Sequence, residues 1–537
     1  MKGVLWTSVL AVLAACADAR AVAGAGAGAG ADADAGADAG ADAGADAGAG
    51  AGADAGADGG DDEGRASVVR LACRDLGTIV AIDCARFPVE RGVNESATSF
   101  HVATTGDDRA DGSSARPWRT LSHATDTAPP GATIIIAGGD YRESADDVNA
   151  LTLRKRGQTF AVRAGDIATL RPSRAEQNYG LLPEADDIEV RGLRIAGFRS
   201  GVAMWTGGGR TQRNLVLVGV EVDGQRRRGA EGIIQYMDNR TPGAVESRVP
   251  ATLDGLLLRD VTVRGVEMGV ACNGGPCRNW YLDGVRVETV RVGNNSGLDA
   301  FAIESGDHVV VVGSQFSGAS GDGIDIKGTR AVVVNSVVRN VARNGVKLWN
   351  GGDVVQTIIE GTGADAALVV QGPARFRLAH SVVAHHAWPT GSGYVATIGY
   401  DDVGAFDVEI VNSIFFENAS GGIYLPRDGR VVIRNNAFYK MQRKLFDRAG
   451  DELLVSDGAA AIRARGWGDG NLVDVDPLFV DSARGDYRLT PASPLRDRGA
   501  AVSPLIARDL AGNARAQGTA PDIGPYELAA TGSLGSP

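Results

Sequence analysis

Gly323-Ile324-Asp325-Ile326 is followed one repeat later by Gly345-Val346-Lys347-Leu348. Each tetrad reads glycine, apolar, variable, apolar, and about ten residues on comes a second apolar strand marked by Asn. Further copies stand at Gly201-Val202-Ala203-Met204, Gly232-Ile233-Ile234-Gln235 and Gly422-Ile423-Tyr424-Leu425. From Ala300 through Gly323 and Gly345 to Ala367 the spacing is 23, 22 and 22 residues. That period is too short for paired helices and matches one turn of a parallel β-helix. Residues one period apart then lie side by side, so the repeat lays the sequence out as a surface.

Working outward, the second strand of each turn (Val309 to Val312, Val332 to Val334, Val408 to Ile410) ends at a polar pair: Asn335-Ser336, Asn412-Ser413 and Asn435-Asn436. Asn tolerates left-handed backbone geometry and can bond its neighbour one turn away, which suits a corner. A third short strand follows, such as Val337-Val338. These features predict an all-β, right-handed parallel β-helix: a three-sheet solenoid of roughly 10 or more turns. The domain is expected over 99–529, caps included, with a disordered tail over 530–537. Two long intervals, Gly201 to Gly232 and Gly232 to Gly269, predict projecting loops.

The formal charge of −12 is misleading. Residues 21–64 alternate Ala, Gly and Asp with nine Asp, one Glu and no Lys or Arg, which leaves the rest of the chain near neutrality. Such a tract cannot bury enough surface to offset chain entropy and is expected to be a disordered, extended tether. No basic field points to nucleic acid. Residues 1–20 carry Lys2, an apolar run from Val4 to Leu13, and Leu13-Ala14-Ala15-Cys16, which is similar to the lipobox of bacterial lipoproteins. The resemblance implies export, lipidation at Cys16 and a membrane-anchored lipoprotein, periplasmic or on the cell surface. The membrane is expected as a partner only through that lipid, and the protein as a monomer. In an oxidising compartment, Cys73 with Cys84 and Cys272 with Cys277 are expected as local disulfides. A metal site is the competing use, but no His lies near either pair in sequence. The Cys-bearing segment 65–98 has no role assignable from sequence.

The run from Phe100 to Tyr141, strand, helix and strand around Pro117-Trp118, resembles the N-terminal helix cap of exported right-handed β-helix proteins. Asp474 to Val480, Gly485 to Leu489 and Asp522 to Glu527 resemble the terminal segment of related exported, polysaccharide-lyase-like proteins, and imply a C-terminal cap.

Stacking the turns puts Ala302, Asp325, Lys347 and Leu368 on one outward column, Glu304, Lys327 and Trp349 on a second, and Asp299, Asp322 and Asn344 on a third. With turns about 4.8 Å apart, the charged members converge on one patch. Clustered carboxylates can hold Ca²⁺, and a neighbouring Lys can serve as a base. Asp322-Gly323-Ile324-Asp325-Ile326-Lys327 is similar to the family-nine pectate lyases, which share this fold, bind Ca²⁺ through Asp residues on consecutive turns and use a Lys base. The resemblance implies metal ligation by Asp299, Asp322 and Asp325. Gly321 departs from it, standing where the family carries another Asp. The family's base lies further along the chain, so Lys347 or Lys327 is the substitute here. Arg339, Arg343, Trp349 and Glu304 are the expected substrate contacts. The Asp-Gly-x-Asp start also resembles alginate epimerases, but their following Pro-His is absent. The implied activity is Ca²⁺-dependent β-elimination on an acidic polysaccharide. The alternative is a non-catalytic glycan-binding or structural protein, in which Asp325 with Lys347 and Glu304 with Lys327 are cross-strand pairs worth roughly 0.2–1 kcal/mol each.

Two further groups stand out. His380, His385 and His386 are expected to be solvent-facing turn residues away from this patch. Trp205, Tyr236, Trp349, Tyr394 and Tyr424 lie in or just after tetrads, where exposed rings would stack on sugars.

Overall fold

A computed structural model describes residues 73–76, 82–93, 99–146, 148–204, 210–236, 252–273, 275–291, 297–387, 393–399, 404–502, 507–515 and 517–528. All of them belong to one compact unit, Gly64–Pro537. The export segment with Cys16, the 21–64 tract, Trp205 and the 530–537 tail lie outside the described residues.

The chain winds as a right-handed parallel β-helix with three strands per turn. The tetrads form the first face, for example Ser200–Met204, Glu231–Gln235, Met268–Cys272, Val346–Leu348 and Leu368–Val370. The longer strands Thr211–Val218, Thr252–Arg259 and Cys277–Asp283 belong to the second face. Phe301–Val312 and Ile324–Val334 run round the corner and serve both faces, so first and second join in one hydrogen-bonded sheet. The third face is a separate parallel sheet that includes Glu221–Asp223, Gln315–Ser317 and Val337–Val341.

The tetrad glycine has a steric cause. A Cβ on Gly323 would lie 2.3 Å from Val338 Cγ1 and 2.7 Å from the Gly345 carbonyl oxygen. Gly201 would meet Val222 Cγ1 at 2.3 Å and Gly345 would meet Ile359 Cγ2 at 2.3 Å. First and third faces approach too closely there for most side chains, and real Cβ atoms do not tolerate such contacts. The apolar tetrad positions fill the interior: Ile324, Ile326, Val346, Leu348, Leu368 and Val370 are fully buried.

The corner after the second strand is a left-handed column. Asn335, Gln356, His380, Asn412 and Asn435 have φ of 49°, 47°, 48°, 51° and 53°. Beside it runs a buried ladder: the backbone N–H of Ser314 donates to Ser336 Oγ (3.3 Å), that of Thr357 to Ser381 Oγ (3.1 Å), and that of Ser413 to Asn436 Oδ1 (2.9 Å). Each side chain satisfies an N–H that the bend removes from the sheet.

Helix Leu121–Thr127 is capped by Thr120 Oγ1, which accepts from the His123 N–H at 3.1 Å, and adds Leu121 and Ala124 to the core. At the far end Ile462, from helix Gly458–Ala464, and Trp467 join the same core. The last segment departs from an end cap: Tyr487, Leu489, Leu495, Leu510, Ile523 and Tyr526 pack sideways on Val337, Ile358, Val382, Ile414 and Ala437 of the third face. Those outward residues are apolar, so the face needs a cover. Arg515 pins it, donating to Gln356 Oε1 at 2.6 and 3.0 Å and to the carbonyls of Gly524 and Pro525 at 2.9 Å each.

Residues 82–93 acquire a role of the same kind on the second face. Phe87 stacks on His308 (4.5 Å) and packs on Tyr281 (5.0 Å), beside Leu76, Val216, Leu257, Val310 and Val332. Glu90 pairs with Arg191 (3.0 Å) and Arg259, and the Arg91 N–H donates to Glu189 Oε2 at 2.8 Å. Both expected disulfides are present, Cys73–Cys84 stapling this strap and Cys272–Cys277 closing a first-face loop. The histidines do not all face solvent. His380 (2 % exposed) and His386 (0 %) are buried, because the corner and the packed third face enclose them. His380 bonds Asn412 Nδ2 at 2.9 Å and His386 bonds Thr362 Oγ1 at 2.7 Å.

Candidate functional site

The register brings the charged tetrad residues together. Ala302 pairs with Asp325, Asp325 with Lys347, and Lys347 with Val369. Val369 therefore replaces Leu368 on the outward column: Leu368 pairs with inward Val346 and is buried. At the strand starts the side chains climb from turn to turn. Asp299 Oδ1 accepts the Asp322 N–H (2.7 Å), Asp322 Oδ1 the Asn344 N–H (3.0 Å) and Nδ2 (2.9 Å), and Asn344 Oδ1 the Ala366 N–H (3.1 Å). Gly321 has no room for a carboxylate, since a Cβ there would lie 2.4 Å from Asp299 Oδ1.

Lys347 Nζ stands 3.8 Å from Asp322 Oδ2 and 4.0 Å from Asp325 Oδ2, while Lys327 Nζ is 3.8 Å from Asp325 Oδ2. Lys327 is also bound to both oxygens of Glu304, at 2.7 and 2.6 Å. Trp349 Nε1 donates to Asp325 Oδ1 at 2.7 Å, and its ring lies 4.7 Å from Lys347 Nζ and 5.5 Å from Lys327 Nζ.

The electrostatics follow from crowding. Burial, then the charges of Asp322 and Asp325, push Asp299 up to about 7. Burial raises Asp325 to about 6 against the opposing pull of Lys347 and Lys327. Burial works against charge on Lys327, but the Glu304 hydrogen bond and neighbouring carboxylates hold it above the ordinary lysine value. Two carboxyls on one face, each raised toward neutrality, are suited to proton transfer.

The arrangement does not fit calcium. One oxygen of each Asp is committed to a backbone, amide or indole N–H, and the second oxygens of Asp322 and Asp325 face the Lys347 ammonium. Hard-cation sites need several converging oxygens. Among the described residues no group of three or more His, Cys, Asp or Glu side chains is arranged to hold a metal ion.

Beside Lys347 opens a cleft of about 410 Å³ lined by Arg343, Asn344, Asp365, Val369, Tyr394 and Thr397. Arg343 is held by Asp365 at 2.7 Å, and Tyr394 donates to Asp447 Oδ2 at 2.7 Å. Arg339 is not part of it. It lies on the third face, 3.3 Å from Glu360, which also accepts the Tyr487 hydroxyl at 2.6 Å, because the strand Val337–Val341 follows the corner and turns away. Tyr424 stands on the outward column after Thr397, its ring 5.4 Å from that of Tyr394. Sequence reasoning missed Asp365, Thr397 and Asp447, which lie beside residues it did single out; Asp447 follows Thr397 by two turns, with Tyr424 between them.

Residues 104–161 match a family described as a protein of unknown function, DUF1565. An uncharacterized protein of Bacillus subtilis (strain 168), YwoF, is 24% identical over 230 residues, covering 39% of this chain and 45% of that protein. The match thus spans less than half of that relative's length. Among solved structures, pectate lyase Pel9A aligns over 80% of this chain and 96% of its own with a TM-score of 0.40 and 14% identity. XylC in complex with xylose aligns over 80% and 98% with 0.46 and 11%. The A-module of mannuronan C-5 epimerase AlgE6 from Azotobacter vinelandii aligns over 60% and 88% with 0.44 and 17%.

Proposed function

We propose that this chain acts on an acidic polysaccharide laid along the first face, by β-elimination centred on Asp299, Asp325 and Lys347. The observation that carries the reading is a cleft lined by Arg343 and Lys347, with Lys347 Nζ 4.0 Å from Asp325 Oδ2 and two carboxyls on that face, Asp299 and Asp325, raised toward neutrality. A uronate carboxylate entering the cleft meets Arg343 and Lys347. Asp325, with the lower pKa, takes the proton from C5. The C5 electron pair forms the C4–C5 double bond, the C4–O bond breaks, and protonated Asp299 returns a proton to the leaving oxygen. Lys327, held charged by Glu304, serves as a fixed positive charge and not as the base. Calcium finds no fitting donor set here, and no step runs through it.

The same chain is proposed to be exported and lipid-anchored at Cys16, with residues 21–64 as the tether. Among the described residues no helix is long and apolar enough to cross a membrane.

One observation favours a second reading, non-catalytic glycan binding: Asp299, Asp322 and Asn344 already serve the fold by accepting backbone N–H groups. The two readings separate on incubating the protein with polygalacturonate and with alginate. Elimination leaves an unsaturated uronate that absorbs in the ultraviolet, and Asp325→Asn abolishes the signal. Binding without any such absorbance on either polymer sinks the lyase reading and leaves the second.

A further inference from the structure

An imidazole sits beneath the strap of residues 82–93. His308 lies on the second face opposite Asn279 of the preceding turn, between the register pairs Arg278–Asp307 and Trp280–Val309. It is 1 % exposed, and Phe87 of the strap stacks on its ring at 4.5 Å. Tyr281, from the preceding turn, packs on Phe87 at 5.0 Å.

The hydrogen bonds assign the proton to one ring nitrogen. Asn279 Nδ2 donates to Asp254 Oδ1 at 2.6 Å, so Asn279 turns its carbonyl oxygen toward His308. His308 Nδ1 therefore carries the hydrogen and donates it to Asn279 Oδ1 at 3.0 Å. Nε2 is left as the bare nitrogen, buried and without a hydrogen-bond partner among the described residues. A second proton would have to sit there, where nothing accepts its hydrogen bond, and a buried unpaired cation is costly.

The charges around the ring do not favour that proton either. Asp307 stands beside it on the same strand, Arg330 on the next turn, and Asp83 and Arg86 on the strap. Asp307 is bound by Arg330 at 2.8 Å and Asp83 by Arg86 at 3.0 Å, so each carboxylate arrives with its own guanidinium. Burial, and then the Arg330 charge, hold the imidazole below the ordinary histidine value.

We infer that His308 makes the strap a pH-released cover of the second face, closed while the imidazole is neutral and lifted when Nε2 takes a proton from solvent. Lifting removes Phe87 from the ring and lets water accept the new N–H. It also bares the apolar row of Val216, Leu257, Val310 and Val332. An imidazole that is harder to protonate under the strap than in water adds to attachment in full above about pH 6.5, and that contribution is lost progressively as pH falls below it. The device belongs to the second face and does not depend on the elimination chemistry at the first.

The test is digestion of the full chain by proteinase K at pH 7.5 and pH 5.0, each rate normalised to cleavage of an unstructured peptide at the same pH. With fast opening and closing, cleavage within residues 82–93 tracks the detached population. That rate rises at least fivefold from pH 7.5 to pH 5.0, with a ceiling of about thirtyfold for an imidazole that takes no proton while covered. His308→Phe keeps an aromatic ring under Phe87 and cannot titrate, and its strap cleavage changes less than twofold. His308→Gln provides the same readout if circular dichroism shows the first variant misfolded. Both pH values lie above the ordinary carboxylate range of about 4, and the variants subtract what the ion pairs of the strap contribute. A wild-type rise below fivefold, or a variant whose rate rises twofold or more, overturns the switch.

Discussion

Trp349 donates its indole N–H to Asp325 at 2.7 Å while its ring faces the ammonium groups of both Lys347 and Lys327. One side chain thus fixes the carboxylate and both cations of the candidate site. Trp349→Phe keeps an aromatic face and removes the N–H. A hydrogen bond to a charged group contributes about 1.5–3 kcal/mol, so a loss of that order is expected in denaturant unfolding. The same bond holds the Asp325 pKa down, so its removal moves the carboxyl titration, followed by carbon NMR, above the present value of about 6. An unchanged titration would show that the indole does not set the charge of Asp325.

How far the site could be read in advance depends on what fixes each residue. The tetrad glycines were legible because a Cβ has nowhere to go, and steric need recurs at the same period. Asp325 facing Lys347 followed from that period alone. The left-handed corner was legible at Asn335, Asn412 and Asn435, but not at His380 or at Gln356, which adopts the same φ against its preference because neighbouring turns impose it. Arg339 was misplaced because a third-face strand was counted toward a first-face groove. The strap of residues 82–93 was illegible because Glu90 finds Arg259 169 positions away, and no local pattern encodes that.

Lys347 holds its ammonium 3.8 Å from Asp322 Oδ2 and 4.0 Å from Asp325 Oδ2, and this sets how the protein should respond to metal. A chelator is expected to leave the wild-type melting temperature unchanged, and added Ca²⁺ to shift it by no more than a degree or so. Lys347→Ala removes the competing charge and leaves two carboxylates facing one space. That variant is expected to lose roughly 1–3 kcal/mol and to recover part of it with Ca²⁺. A Ca²⁺-dependent rise in the wild-type melting temperature would overturn this account of the site.

The raised Asp299 carboxyl makes a prediction whose sign is fixed by linkage. Its pKa is about 7 in the folded chain and near 3.9 in an unfolded one. The folded state therefore holds a proton that the unfolded state has released, and stability from this group is full below about pH 4 and lost as pH rises through about 7. Asp299→Asn keeps an acceptor for the Asp322 N–H and cannot ionise. Its stability relative to wild type is expected to increase between pH 5 and pH 8, by at most about 2.6 kcal/mol and by less where water screens the half-buried edge of the carboxyl. Paired denaturant titrations at the two pH values measure the difference. A pH-independent difference would mean that Asp299 is ionised throughout.

Phe87 carries the last prediction, because the strap it belongs to covers an apolar row that a solenoid cannot otherwise expose to water. Replacing a buried Phe by Ala costs about 3–5 kcal/mol when the surroundings stay in place. Here the strap is a thin segment held by Phe87, by the ion pairs of Glu90 and Arg91, and by the Cys73–Cys84 staple. Its own attachment limits the loss, since it can detach before the solenoid melts. Phe87→Ala should therefore change the global midpoint by less than the full core cost, while proteolysis within residues 82–93 accelerates at least tenfold. Hydrophobic dye binding should rise with it, as Tyr281, Val310 and Val332 meet solvent. Reducing the staple in the wild type should act in the same direction. If cleavage of the strap is no faster in Phe87→Ala than in wild type, Phe87 does not anchor it, and the charged contacts alone hold it against the second face.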